Sequence, residues 1–424
     1  MSQTRSRLLE LLAERDFRLL LGAQCTAQMA DGLAQAAFAE EIVLDPQGTP
    51  TRTLALFALT LLPYSLLGPF TGVLVDRWPR RSIMVWANVA RAVLLVSLPL
   101  WMGALPGDTA LYAAALVLLG FGRLFLTTKG ASLPVVLNEH HLLRGNSVSG
   151  GGGMISALVG GVVGIGVAAI ASAETAFIIA GLLYVVGALV ARQISKPMAH
   201  PHKNLERMRD ATARIANEMV EGVREIWVRK RARLPLFGIF VVRVAAMFVA
   251  LIAIEVIRTR YNTADDAGRL SASALALGSA GVGAFIGALT APAMGRRFST
   301  PALLIIGFVV SGSSMLAAAP FLELTTTVGL TLFGGFGAFV AKVAVDAQVQ
   351  EALPDEYRGR ALALYDILYN LASVVAALFL VAFIDISLGA LLASGGTLVL
   401  LLAWLLARAM KKAGILAGTE TTVS

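Results

Sequence analysis

About twelve apolar stretches, each close to the roughly 20 residues that a helix needs to cross a bilayer's hydrocarbon core, constrain this chain more than anything else in it. They run over Phe17–Ile42, Leu54–Val75, Ser82–Trp101, Ala110–Leu133, Val148–Ile170, Thr175–Ile194, Leu236–Ile257, Ala272–Met294, Pro301–Phe321, Thr326–Gln348, Ala361–Ile384 and Leu388–Ala409. Inside lipid every backbone N–H and C=O must find its partner within the protein, which leaves helices or a closed β-barrel. The stretches show no alternation of polar and apolar residues and the aromatic share is only 7%, so a barrel is excluded and helices remain. Charged residues make up 15% of the chain and its mean hydropathy is +0.75, against about 25% charged in soluble domains. The expected fold class is therefore an all-α integral membrane protein of about twelve transmembrane helices. No short apolar segment with a small-residue cleavage site precedes the first stretch, so no removable signal peptide is expected.

Charge placement orients these helices. Arg5, Arg7 and Arg15 precede the first stretch; Arg77, Arg80 and Arg81 follow the second, Arg144 the fourth, and Arg296 and Arg297 the eighth. Arg358 and Arg360 follow the tenth, and Arg408, Lys411 and Lys412 close the last. The alternate loops carry Asp45, Asp108, Glu174, Glu323 and Asp385 instead, the one mixed loop holding Arg258, Arg260 and Arg269 with Asp265 and Asp266. Basic loops stay on the cytoplasmic side, so both termini are expected there, as an even number of spans requires. The formal net charge of +8 belongs to this asymmetry, and no nucleic-acid partner is implied.

A polar stretch over 195–234 sits near the midpoint, with Leu205, Met208, Ile215, Met219 and Val223 recurring at roughly helical spacing. It reads as a cytoplasmic linker whose amphipathic helix rests on the membrane. The expected organisation is an N-terminal six-helix half over 1–194, the linker, a C-terminal half over 235–410 and a tail over 411–424. Transporters built from repeated halves bind substrate near the bilayer midplane.

Polar residues inside the apolar stretches mark the candidate sites. Gln24, Gln28, Asp31 and Gln35 follow at steps of four, three and four, which puts them on one face of the first helix. A carboxylate at bilayer depth costs roughly 2.5–3.5 kcal/mol on insertion scales, so this stripe faces protein or a watery cavity. Two readings stand: a polar seam that joins helices, or a proton and substrate site. Arg91, Arg123, Lys129, Arg243, Lys342, Asp346 and Asp366 lie within other spans. Lys342 and Asp346, four apart, either pair on one helix or line a cavity together with Arg123, Lys129 and Arg243. Arg91 with Asn88 reads as a link to the loop after the second span, and Asp366 as a gate near the end of its helix. Cys25 is the single cysteine, and the four histidines fall in two polar pairs, His140–His141 and His200–His202, so neither a disulfide nor a metal site is expected. Without a nucleophile, metal or paired-carboxylate constellation no enzyme is expected, and no cofactor is called for.

The loop after the second span reads Gly72, Leu74, Asp76, Arg77, Pro79, Arg80 and Arg81. It resembles the signature loop of the major facilitator superfamily, with Pro79 where that family usually has glycine. The resemblance implies a fold of two pseudo-symmetric six-helix halves in which Gly72, Asp76, Arg77, Arg80, Arg81 and Arg91 serve gating, the loop latching the outward-facing state. The second half carries a degenerate echo, Gly287–Leu289 to Gly295–Arg297, without the aspartate. Gly151, Gly160 and Gly164 are similar to the glycine pattern of the superfamily's antiporters, with Ile165 at the family's proline; close helix packing is the equal alternative. Asp346 to Asp366, and Asp16–Arg18 with Asp31–Gly32, resemble bacterial drug-efflux members. Arg123 resembles the fourth-helix arginine that the superfamily links to proton transfer.

Taken together, the resemblance implies a monomeric secondary transporter of a bacterial inner membrane, effluxing small amphipathic molecules in exchange for protons that bind Asp31. A lipid or lysophospholipid flippase and an organic-anion transporter of the same fold remain alternatives, because basic residues outnumber acidic ones inside the spans. A channel would lack the two halves and the latch, and a non-transporting sensor would show no substrate flux.

Overall fold

The computed structural model describes residues 11–43, 71–195, 230–260, 266–352, 355–383 and 385–415, with scattered positions in 49–56 and 214–228. Most of the second apolar stretch and of the 195–234 linker lie outside the described residues, as do the side chains at 72, 76 and 366.

Among the described residues there are twelve α-helices and no strand. In chain order they are α1 (Arg15–Phe38), α2 (Thr71–Arg77), α3 (Arg80–Ala104), α4 (Thr109–Val136), α5 (Glu139–Ile170), α6 (Ala173–Arg192), α7 (Lys230–Arg260), α8 (Asp266–Met294), α9 (Thr300–Ala318), α10 (Leu324–Ala352), α11 (Asp355–Ala382) and α12 (Leu388–Lys412). Nine of the described helices are long and apolar enough to cross a membrane. At 1.5 Å per residue α1 is also long enough, at about 36 Å, but Arg15, Asp16, Arg18 and Asp31 lower its hydropathy. Many of the large apolar side chains face outward, Val162, Leu182, Leu289 and Phe333 among them. In water such a surface would drive association. In hydrocarbon it is the ordinary lipid-facing side of a spanning helix.

The chain divides into two compact units, Met1–Val43 with Leu62–Ile215, and Leu44–Leu61 with Ala216–Ser424. In the first, α1 packs on α5 and α6, α3 on α4 and α6, and α2 on α4. In the second, α7 packs on α11 and α12, α9 on α10 and α12, and α8 on α10. Adding six to every helix number of the first set gives the second. The two halves thus share these five pairings, while in the second α7 also packs closely on α10.

Lipid tails are as apolar as the side chains they meet, so helices in a membrane associate through close contact and interhelical hydrogen bonds. Glycine permits the contact. A Cβ on Gly32 of α1 would lie 2.0 Å from the Ala157 carbonyl oxygen of α5, and one on Gly160 of α5 would lie 2.0 Å from that of Met29. In the second unit Gly283 of α8 and Gly335 of α10 play the same part, 1.9 Å from the Leu332 oxygen and 2.1 Å from that of Ala280.

Candidate functional site

The first unit gathers its buried charges around Asp31. Its Oδ1 accepts hydrogen bonds from Nη1 of Arg91 on α3, at 3.0 Å, and from the hydroxyl of Tyr184 on α6. Arg91 is wholly buried, whereas the Asp31 side chain keeps 21% of its exposure. The same guanidinium donates to Asn88 Oδ1 and, through Nε, to the Ala87 carbonyl at 3.3 Å. It lies 4.2 Å from the centre of the Tyr184 ring and 5.1 Å from that of Phe125 on α4. A guanidinium at bilayer depth needs both a counter-charge and bonded N–H groups; α1 and α3 supply these, and α4 and α6 add the two rings. Arg91, expected at the latch, therefore belongs to the Asp31 cluster.

A second chain of bonds starts one and two turns earlier on α1. Gln24 Nε2 donates to Gln28 Oε1 at 2.7 Å and to the Ser149 carbonyl of α5 at 2.8 Å. The Ser149 hydroxyl donates to Gln24 Oε1 and accepts from Lys129 Nζ of α4 at 2.9 Å. Gly153 makes room for this pair: a Cβ there would sit 1.8 Å from Gln28 Oε1. So Gln24, Gln28 and Lys129 meet, and Gln24 forms a seam between α1 and α5. Gln35 is exposed and takes part in neither group, while Arg123 is half-buried on α4. Of the three glycines singled out in α5, Gly160 and Gly164 press on α1, but a Cβ on Gly151 would meet nothing within 4 Å. The contact expected of Gly151 is made by Gly153.

The two arginines that open α3 are anchored within their own unit. Arg80 Nη1 donates to the Ala131 carbonyl at 2.7 Å and Arg81 Nη1 to that of Ile194 at 3.1 Å. Ile194 lies just past the end of α6, where carbonyls lack helical partners and a cation is favoured. Asp16 closes the same end, accepting from the Ser195 backbone N–H and hydroxyl at 2.9 Å each.

In the second unit a cavity of about 280 Å³ opens between α7, α8, α10 and α11. Arg243 and Lys342 both line it. The Arg243 guanidinium lies 4.0 Å over the Tyr369 ring, and Lys342 Nζ pairs with Asp346 at 2.6 Å. With that pair made on one helix, Asp346 acts as the partner of Lys342.

Tyr184, Ser149, Gly153 and Tyr369 are absent from the sequence-derived site. A tyrosine in an otherwise apolar helix carries a signal, since its hydroxyl needs a partner when buried; Ser149 beside a run of four glycines carries none.

Residues 20–377 match the Major Facilitator Superfamily. The chain belongs to that superfamily. Two bacterial relatives agree. The uncharacterized MFS-type transporter Rv0037c of Mycobacterium tuberculosis is 28% identical over 366 residues, covering 84% of this chain and 81% of its own length. The MFS-type transporter YfiS of Bacillus subtilis is 26% identical over 382 residues, covering 85% of each. Among solved structures, a POT family transporter in complex with a thioalcohol-conjugated peptide superposes with a TM-score of 0.70 at 11% identity, over 94% of this chain and 96% of that one. The nucleoside transporter NupG does so with a TM-score of 0.65 at 12% identity, over 93% and 98%. At such identity these two speak for the major facilitator fold alone. The protein is a multi-pass membrane transporter for a small-molecule substrate.

Proposed function

We propose that this superfamily member is a proton-coupled secondary transporter that exports small amphipathic molecules by alternating access. The single observation that carries the reading is the Asp31 carboxylate, partly exposed and bonded to a fully buried Arg91 and to Tyr184. A proton on Asp31 removes the counter-charge of Arg91, and a stranded buried charge costs about 3–5 kcal/mol. Proton occupancy of Asp31 thereby favours a conformation in which Arg91 finds another partner. That differential free energy is what a coupling ion must supply to shift a two-state equilibrium. The loop Gly72–Arg81 latches the outward-facing state, with Asp76 and Arg77 as its charged members, and Asp366 serves as a gate. Gln24, Gln28 and Lys129 form the polar lining next to Asp31. The transporter works as a monomer in a bacterial inner membrane, both termini in the cytoplasm.

The test is proton movement in proteoliposomes bearing a pH gradient, followed with a trapped pH dye. Cationic drugs, organic anions and lysophospholipids are added in turn to the parent, to Asp31→Asn and to Tyr184→Phe, each scored per folded molecule. Substrate-triggered proton flux that is lost in Asp31→Asn and altered in Tyr184→Phe supports the reading. Full-rate, proton-coupled transport by Asp31→Asn refutes it, and lipid movement between leaflets with no proton flux favours a flippase instead.

A further inference from the structure

Arg243 stands in the middle of α7, thirteen residues after Lys230 and seventeen before Arg260, which at 1.5 Å per residue is about 20 Å from one end of the helix and about 26 Å from the other. It makes no hydrogen bond or ion pair with any described residue, its electrostatic neighbours being Tyr369 and Tyr365, and its Nε is shielded from solvent with no acceptor. Tyr369 covers one face of the guanidinium, which leaves the N–H edge, the part that bonds an oxyanion in a fork, unused. The other cation on the cavity wall, Lys342, already has Asp346 as its partner. Among the described residues, the Arg243 charge at membrane depth therefore has no counter-ion. Ionised groups inside membranes pair with something or mark a substrate path. Arg91 shows what a fully compensated buried charge looks like in this protein: counter-ion, amide, carbonyl and two rings all engage it. Arg243 has the Tyr369 ring, with Tyr365 stacked behind it, and an open cavity.

Apart from Thr331, the rest of the wall is apolar, with Val242, Met247, Ala246 and Phe339 facing the volume. A cavity of 280 Å³ is near the lower end of the roughly 300–1,000 Å³ typical of small-ligand sites. Such a space suits one polar head and a short apolar body.

We propose that this cavity of the second unit binds the oxyanion group of an amphipathic substrate (a carboxylate, sulfonate or phosphate), with Arg243 as its counter-charge. The inference deepens the transport reading by naming its substrate class and rests on it only in calling the bound anion a substrate. The anion has two sources with the same chemistry, a soluble organic acid or the head group of an anionic lipid.

Calorimetric titration of the full-length protein in phosphatidylcholine nanodiscs tests this without any gradient, so that binding is read apart from coupling. The probes are hexyl sulfonate, hexyl phosphate and hexyltrimethylammonium. The parent is expected to bind both anions at least ten-fold more tightly than the cation. Arg243→Gln lowers anion affinity at least ten-fold, and Arg243→Lys, which keeps the charge and serves as the folding control, recovers part of it. Repeating the titration in nanodiscs containing phosphatidylglycerol separates the sources: displaced hexyl sulfonate assigns the site to a lipid head group, undisplaced hexyl sulfonate to a soluble acid. A parent that prefers the cation, or an Arg243→Gln variant that binds the anions as the parent does, overturns the proposal. Loss of proton flux with anion binding intact counts against the coupling reading alone.

Discussion

Asp31→Asn should destabilise the first unit by more than any loss of packing explains, because it leaves a positive charge behind. The carboxylate and amide have nearly the same shape, and the amide oxygen can still accept from Arg91 Nη1 and from Tyr184. What disappears is the negative charge 3.0 Å from a guanidinium with no exposure of its own. Removing one partner of a buried pair costs about 3–5 kcal/mol. For a unit of this size, about 2–4 °C of midpoint per kcal/mol translates that into roughly 6–20 °C. Arg91→Gln is expected to cost less, since Asp31 retains the Tyr184 hydroxyl and is partly exposed, whereas Arg91 has no exposure. The decisive quantity is the double-mutant cycle. With Arg91→Gln added to Asp31→Asn no charge is stranded, and the pair should be more stable than the sum of the singles by roughly 0.5–3 kcal/mol. Thermal unfolding of the four proteins in one detergent, followed by intrinsic fluorescence or by a thiol probe on Cys25, measures it. Additivity within about 0.5 kcal/mol would refute the argument that Arg91 depends on Asp31 for its charge balance.

The glycines of α5 separate in a second experiment. Gly160→Ala puts a methyl against the Met29 carbonyl and should cost about 1–3 kcal/mol by overpacking, whereas Gly151→Ala meets open space and should gain up to about 1 kcal/mol of helix propensity; unfolding midpoints in the same order for both would contradict the α1–α5 contact. In the second unit, Lys342 and Asp346 are each about one-third exposed, so Asp346→Asn should change stability by no more than roughly 0.5 kcal/mol, and a larger loss in a chemical-denaturation curve would mean the pair is shielded more than its exposure says.

Among charged positions, the sequence placed Asp31 inside the protein but named none of its partners. A four-three spacing fixes which face of α1 carries Gln24, Gln28 and Asp31, and that is a property of one helix. Tyr184 reaches Asp31 from 153 residues away and Ser149 reaches Gln24 from 125. Neither distance leaves a local pattern. The pairing of Lys342 with Asp346 was one of two readings open to the sequence, because both partners share a single helix. Gly151 misled for the opposite reason: spacing marks small residues, but only the rotation of α5 against α1 selects Gly153 over it.

The number of spans and the two-half organisation follow from the chain alone, since bilayer thickness sets helix length and duplication leaves the halves alike in hydropathy and in the loop echo. Tertiary structure decided which charges are neutralised. Arg91 and Arg243 look alike in sequence, single arginines in apolar helices, yet one is enclosed by Asp31, Asn88, Tyr184 and Phe125 and the other lies under Tyr369 on a cavity wall. The physical reason is that a span needs only its own composition to enter the bilayer, whereas a charge within it is compensated by whichever helices are packed against it.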